Sequence, residues 1–283
     1  VEESLQVPVL GVIPHLGRDD KDRKEKASTE KERARDLIMH YDPKSLAAEA
    51  FRSLRTNVLF MSQENQGKAF LITSAFVREG KTLNVINLAL SMAQTGARVL
   101  LVEADLRKPV IYSNFGLSKE PGLTDFVLGN YHWREVVNNI TDVMLGEFEM
   151  DEILKTPGLD NLHIITSGTR PPNPSEILGS DHLRKFIIEA SQEYDYVFID
   201  APPILPVADA TEIAPMVDGV VLVYTVGKIA RGVLKRAKSS LDNVDAKVLG
   251  VILNNVKPEV GPDYFKYNTQ YYYGSSPEKG IKT

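Results

Sequence analysis

Six runs of continuous apolar, largely β-branched residues recur along the chain, at 69–73, 99–102, 162–166, 196–199, 219–224 and 248–253. Hydrophobicity that does not alternate predicts strands covered on both faces, the pattern of a parallel sheet wrapped by helices. Helical stretches fall between several of the runs, so the expected fold is α/β: a doubly wound, mostly parallel sheet flanked by helices. Such sheets bind ligands beyond the carboxyl ends of their strands. Chemistry is therefore to be sought in the residues that follow each run.

Ahead of the first run, Ala47, Phe51, Leu54 and Val58 recur at spacings of four, three and four, one face of a helix over 45–60. Asp42 and Pro43 suit its start. At about 100° per residue Glu49, Arg52 and Arg55 fall on the other side of the cylinder. They form either a wet face with a weak Glu–Arg pair or a contact to another subunit. Residues 7–14 (VPVLGVIP) read as a short apolar docking segment, and 18–36 as a solvated mixed-charge linker. After Pro258, Gly261 and Pro262 comes a stretch with neither helical nor strand period. It carries Tyr264, Tyr267, Tyr271, Tyr272 and Tyr273, five of the chain's eleven tyrosines. The organisation is thus a segment and linker over 1–40, a folded domain over 41–257, and a tail over 258–283.

Composition removes several function classes. The 283 residues are 43% apolar and 25% charged, as in ordinary globular domains. No apolar run approaches the roughly 18 residues that span a bilayer. Without cysteine there is no disulfide scaffold, thiolate zinc site or cysteine nucleophile. The five histidines (His15, His40, His132, His163, His182) show no metal-ligand spacing. With 33 basic and 38 acidic residues the net charge is −5, so a chain-wide basic field for nucleic acid is missing. The chain opens at Val1 with no signal peptide, which suggests a portion of something longer.

Three strand ends carry chemistry. The first run leads into Ala75-Phe76-Val77-Arg78-Glu79-Gly80-Lys81-Thr82, then an apolar helix through Leu83, Ile86, Leu90 and Ala93. The loop closes like the phosphate-binding G-x-x-x-x-G-K-[ST], with Ala75 in place of the first glycine. Backbone N–H groups and the helix N-terminus attract phosphate oxygens. Lys81 adds a point charge, and the Thr82 hydroxyl can ligate Mg²⁺. The second run ends in Glu103-Ala104-Asp105-Leu106-Arg107. Two acids so close repel unless a cation lies between them; otherwise they are turn residues with Arg107 as partner. The strand at 196–199 ends in Asp200-Ala201-Pro202-Pro203, which presents a carboxylate to a metal shell or simply ends a strand. All three ends would share one site.

These residues resemble the bacterial tyrosine autokinases of polysaccharide export, the BY-kinases. The 80–82 loop looks like their Walker A, 99–109 like their Walker A′ and 199–203 like their Walker B. Ser167-Gly168-Thr169-Arg170-Pro171-Pro172-Asn173-Pro174-Ser175-Glu176 looks like a family signature, and Glu49-x-x-Arg52-x-x-Arg55 like an oligomerisation motif. The resemblance implies a P-loop NTPase fold of the MinD/ParA-like type with ATP and Mg²⁺ as cofactors. It implies nucleotide contact by Val77, Arg78, Glu79, Gly80, Lys81, Thr82, Leu83 and Asn254, and metal ligation by Thr82, Asp105 and Asp200. Catalysis would fall to Lys81, Glu103, Asp105 and Asp200, with Glu103 as base. It implies a ring-shaped homo-oligomer, an octamer being the suggested size, in which Tyr264, Tyr267, Tyr271, Tyr272 and Tyr273 enter a neighbour's site. Phosphates there would add roughly −1.5 to −2 charges per tyrosine, enough to expel the tail from an acidic site and loosen the ring.

Implied partners are a transmembrane chain-length-regulator domain, fused or separate, the polysaccharide export machinery and a cognate tyrosine phosphatase, with no nucleic acid. Residues 7–14 resemble the segment after a second membrane helix, which places the domain at the cytoplasmic face of a bacterial inner membrane. Two departures stand out: Arg78 replaces a glycine, so a positive φ there would be strained, and Glu103 replaces an aspartate. They leave room for a nucleotide-binding scaffold. An ATPase switch of the division-site or partition kind is the other alternative, although its signature lysine, five residues before the loop lysine, is here Phe76.

Overall fold

In a computed structural model of the chain, residues 2–16, 36–65, 67–140 and 158–257 are described. The charged linker and the tyrosine-rich tail expected from the sequence lie outside them.

Eight strands form one sheet: β1 (Val9–Pro14), β2 (Ala69–Ser74), β3 (Val99–Glu103), β4 (Val137–Asn139), β5 (Leu162–Ile165), β6 (Tyr196–Asp200), β7 (Gly219–Thr225) and β8 (Val248–Val256). Their order is β1-β8-β7-β2-β6-β3-β5-β4. The β4–β5 pair is antiparallel and every other pair is parallel. The six apolar runs all become strands, and two further strands sit at the sheet's edges. Residues 7–14, read as a docking segment, supply β1, which pairs with β8. Its glycine and terminal proline disguise a strand, yet both are tolerated at an edge. Gly11 lets β1 approach closely, since a Cβ there would lie 3.0 Å from a Leu54 methyl.

Among the described residues, four helices longer than two turns cover the faces: α1 (Leu46–Asn65), α2 (Lys81–Ala93), α3 (Asp181–Glu193) and α4 (Arg231–Asp242). Alternate strand residues feed opposite cores. Phe70, Ile72, Leu101, Phe198 and Val223 pack with Phe51, Leu54 and Val58 of α1 and with Val85 and Leu88 of α2. Leu71, Val102, Ile199 and Leu222 pack with Phe186 of α3 and Leu241 of α4. This double coverage explains the unbroken apolar runs: neither side of a central strand meets water.

The helix expected over 45–60 is α1, with the predicted stripe buried. Glu49, Arg52 and Arg55 are not the freely solvated face that the helical wheel offers. Arg52 pairs with Glu49 and donates to the Pro43 carbonyl at 2.6 Å, while Arg55 donates to the Ser91 carbonyl at 2.9 Å. The Arg55 guanidinium is half-buried between α1 and α2, and burial chiefly lowers its pKa. A wheel drawn on one helix cannot show that a neighbouring helix shields part of its polar side.

Candidate functional site

Parallel pairing brings the carboxyl ends of β2, β6 and β3 side by side, because β6 lies between the other two. The loop after β2 is pinned from two further strand ends. Glu79 is 1% exposed; its Oε1 accepts from the Phe76 N–H at 2.7 Å and its Oε2 from the Thr225 N–H at 3.2 Å. Burial is the main reason its pKa is raised, against these hydrogen bonds. Thr225 Oγ1 and Asn254 Nδ2 both donate to the Glu79 carbonyl, at 3.0 and 2.8 Å. Among the described residues, no acceptor meets the backbone N–H groups of Val77 to Thr82. A loop with unused donors at the start of α2 is an anion cradle.

Gly80 has φ 84°, and a Cβ there would lie 2.2 Å from Asn254 Nδ2. Arg78 also takes a positive φ, 62°, as its place in the loop suggested. The left-handed region disfavours a residue with a Cβ by roughly 1–2 kcal/mol, while glycine loosens the unfolded chain by about half that. Arg78→Gly is therefore expected to raise unfolding stability by about 0.5–1 kcal/mol in urea titration. Arg78→Ala keeps the Cβ and should gain nothing; a gain equal to that of glycine would remove backbone strain as the cause.

Lys81, at the start of α2, gathers the acids. Its Nζ lies 2.7 Å from Asp105 Oδ2 and 3.7 Å from Asp200 Oδ1. Thr82 Oγ1 donates to Asp200 Oδ2 at 2.7 Å. Burial pushes Asp200 up to about 6, with Lys81 and Thr82 opposing. Burial alone would lower the Lys81 ammonium, but Asp200 and Asp105 outweigh it and raise its pKa. Asp200 Oδ1 is buried with no hydrogen-bond partner among the described residues. An orphaned buried oxygen beside a hydroxyl and a second carboxylate fits Mg²⁺, which takes one or two carboxylates and completes its shell with water and phosphate. The described residues include no cluster of three or more His, Cys, Asp or Glu that could hold a metal without such help.

Glu103, expected as the base, has no exposed surface. Its Oε1 accepts from the Val110 and Ile111 N–H groups, and its Oε2 from the Ser167 N–H at 3.2 Å. Burial raises its pKa to about 7 despite those bonds, and Asp200 pushes in the same direction. For both acids the folded-state pKa is raised, so the fold is favoured below their ordinary range and loses stability as pH climbs from about 4 to 7, by an order of a few kcal/mol. A cation that neutralises the ionised pair reverses that loss. The increase in melting temperature on adding Mg²⁺ and ADP is therefore expected to be larger at pH 8 than at pH 6, and equal increases would contradict it.

Two braces escaped the sequence reading. Asp209 is 0% exposed and accepts from Arg107 Nε at 2.7 Å, Arg107 Nη2 at 2.9 Å and Ser175 Oγ at 2.7 Å. It ties the turn after Asp105 to the 167–176 segment, so Arg107 partners neither Glu103 nor Asp105. Asp125 accepts from the N–H groups of Gly122 and Thr169, at 2.9 and 3.1 Å, and fixes the other end of that segment. The signal available was an isolated acid among small residues in Val207-Ala208-Asp209-Ala210. No spacing rule singles it out.

The fold and its loop define a P-loop ATPase-type domain, the class that binds nucleotide with Mg²⁺. A protein-family model described as an AAA domain matches residues 78–247. Tyrosine-protein kinase YwqD of Bacillus subtilis is 38% identical over 83% of this chain and 92% of its own length. The kinase domain of the Escherichia coli tyrosine kinase ETK has a TM-score of 0.75 at 26% identity, covering 100% of this chain and 99% of that one. The cell division ATPase MinD of Pyrococcus furiosus has a TM-score of 0.53 at 20% identity, covering 71% and 80%, a likeness of fold alone. The chain belongs to the bacterial tyrosine-protein kinases, and its reaction is phosphoryl transfer to protein tyrosine.

Proposed function

We propose that the chain phosphorylates its own kind, passing the terminal phosphoryl group of ATP to Tyr264, Tyr267, Tyr271, Tyr272 and Tyr273 of a neighbouring subunit, and so regulates polysaccharide polymerisation and export. The observation that carries this is the Lys81–Asp105–Asp200–Thr82 cluster beneath a loop with free N–H donors. Bound Mg-ATP supplies the activated group: the bond to its terminal phosphorus breaks, a tyrosyl oxygen–phosphorus bond forms, and ADP and the hydroxyl proton leave.

The N–H groups of Val77 to Thr82, with Lys81, bind phosphate oxygens, and Thr82, Asp105 and Asp200 would hold the cation. Leu83 lies in the first turn of α2, beside them. Asn254 spends its Nδ2 on Glu79 and keeps Oδ1 for the base. Glu103, whose pKa burial raises to about 7, would accept the acceptor's proton, in the range a general base needs. As Glu103 is covered, that role requires the segment at Val110 and Ile111 to give way when the acceptor enters. Phe76, Val77 and Val110 stand 40%, 49% and 41% exposed at the rim, an apolar edge suited to a tyrosine ring.

Ring assembly would use Glu49 and Arg52, whose side chains each keep 30% of their surface, with Arg55 bracing the helix behind them. Among the described residues no helix is long and apolar enough to cross a membrane. The proposed place at the cytoplasmic face of the inner membrane rests on the likeness of residues 7–14, and the chain-length-regulator, export and phosphatase partners on the family.

The test mixes two variants, Lys81→Met with its tail intact and an active chain with all five tail tyrosines changed to phenylalanine. With ATP and Mg²⁺, phosphotyrosine is expected on the Lys81→Met chain. If the wild type is modified but neither chain of the mixture is, transfer between subunits is wrong.

A further inference from the structure

Beside the catalytic strand ends lies a second concavity, ≈ 400 Å³, lined by Arg107, Arg170, Pro171, Pro172 and Pro174. Arg107 follows Asp105 by two residues, so the cavity adjoins the transfer site. Its guanidinium is fixed by Asp209 through Nε and Nη2, while Nη1 has no acceptor among the described residues. Arg170 is exposed, also with no acceptor among the described residues. Prolines contribute no N–H and hold the wall stiff. Two guanidinium groups on a rigid wall, one of them aimed by a buried carboxylate, match a doubly charged oxyanion.

The tail supplies such a group under one condition. From Tyr264 to Gly274 the sequence contains Lys266 and no carboxylate. Any anion in that stretch must therefore be made by phosphorylation. Tyrosines 264, 267, 271, 272 and 273 are one to nine residues apart, about 3.5 to 30 Å in extended chain. One can thus occupy this cavity while another reaches the transfer site.

We propose that the Arg107–Arg170 cavity is a phosphotyrosine-binding subsite for the tail, so that the first phosphate on a tail promotes the next. This rests on the tail being the acceptor. The phosphate repelled by Asp105 and Asp200 moves to the adjacent guanidinium pair, and the same tail presents a fresh hydroxyl.

Labelled peptides spanning 262–276, unmodified or phosphorylated at Tyr272, are titrated into the full chain with its five tail tyrosines changed to phenylalanine. The phosphopeptide is expected to bind about tenfold tighter or more, the effect of one charge-assisted hydrogen bond. Arg170→Ala should erase the preference and Arg170→Lys restore part of it. Free phosphotyrosine should compete more weakly than the phosphopeptide; competition by inorganic phosphate as strong as by the phosphopeptide means that only an anion site exists. Equal binding of the two peptides, or a preference unchanged in Arg170→Ala, overturns the proposal. In parallel, intact mass during autophosphorylation should show multiply modified chains alongside unmodified ones in the wild type, and singly modified chains accumulating in Arg170→Ala. If the wild type carries no phosphotyrosine at all, the acceptor reading fails, and the peptide titration still decides the cavity.

Discussion

Lys81→Met is expected to lower phosphotyrosine formation about a thousandfold, the scale on which a preorganised donor to transferring charge acts. Two losses combine. The ammonium that meets phosphate oxygens disappears, and Asp105 and Asp200 lose the positive charge that now lies 2.7 and 3.7 Å from them. Burial already pushes the pKa of Asp200 up, and without the Lys81 charge that opposes this the carboxylate ionises less readily. The variant should then need more Mg²⁺ to bind nucleotide. It should still bind, since the backbone donors of residues 77–82 and the Glu79 anchor are untouched. Phosphotyrosine by mass spectrometry and nucleotide affinity by titration against Mg²⁺ check the two halves separately. Activity within tenfold of the wild type would show that the cluster is not the transfer site.

How far the sequence reached depends on whether a feature is local. Central strands were legible because burial on both faces leaves continuous apolar runs such as 219–224, and α1 because its stripe has one period. β1 was not, since an edge strand interrupted by Gly11 and ended by Pro14 carries no such run. β4 is three residues long, and Val137-Asn138-Asn139 has no strand signature. Lys81, Thr82, Asp105 and Asp200 could be singled out because Asp200 ends β6, Asp105 stands two residues past β3 and Lys81 and Thr82 close the loop after β2, and parallel topology alone carries these places together. Arg78 was found as a strained position because the loop's pattern expects glycine there.

What stayed hidden was held by partners distant in sequence. Asp209 lies 102 residues from Arg107 and 34 from Ser175. Glu103 was legible as an acid at a strand end, but its bonds to Val110, Ile111 and Ser167 depend on how β3, β5 and the loops beyond them pack. On the polar side of α1 the Glu49–Arg52 pair is as the wheel offers, but the bond from Arg55 to Ser91 was not legible for the same reason, as Ser91 comes from another helix. Spacing rules describe one element at a time, and each of these bonds joins two.

Asp209→Ala should therefore produce a large effect at a position no motif marks. The carboxylate has no exposed surface, whereas the Arg107 side chain is 39% exposed. Breaking a fully buried ion pair costs about 3–5 kcal/mol. Partial hydration of the stranded guanidinium reduces this to about 2–3 kcal/mol. Burial works against ionisation of Asp209, yet the hydrogen bonds from Arg107 and Ser175 prevail and its pKa is lowered. Its contribution is therefore present above the ordinary carboxylate pKa and lost as pH falls through the depressed folded value. The stability gap between wild type and Asp209→Ala in urea should be full at pH 7 and shrink below pH 4; a gap that ignores pH would remove the ion pair as its source. Replacing both partners, Asp209→Leu with Arg107→Met, leaves no stranded charge and should recover much of the stability. Transfer activity should stay low in that double variant, because the turn after Asp105 is no longer tied to the 167–176 segment. Stability without activity is the result that separates a brace for the site from a brace for the fold.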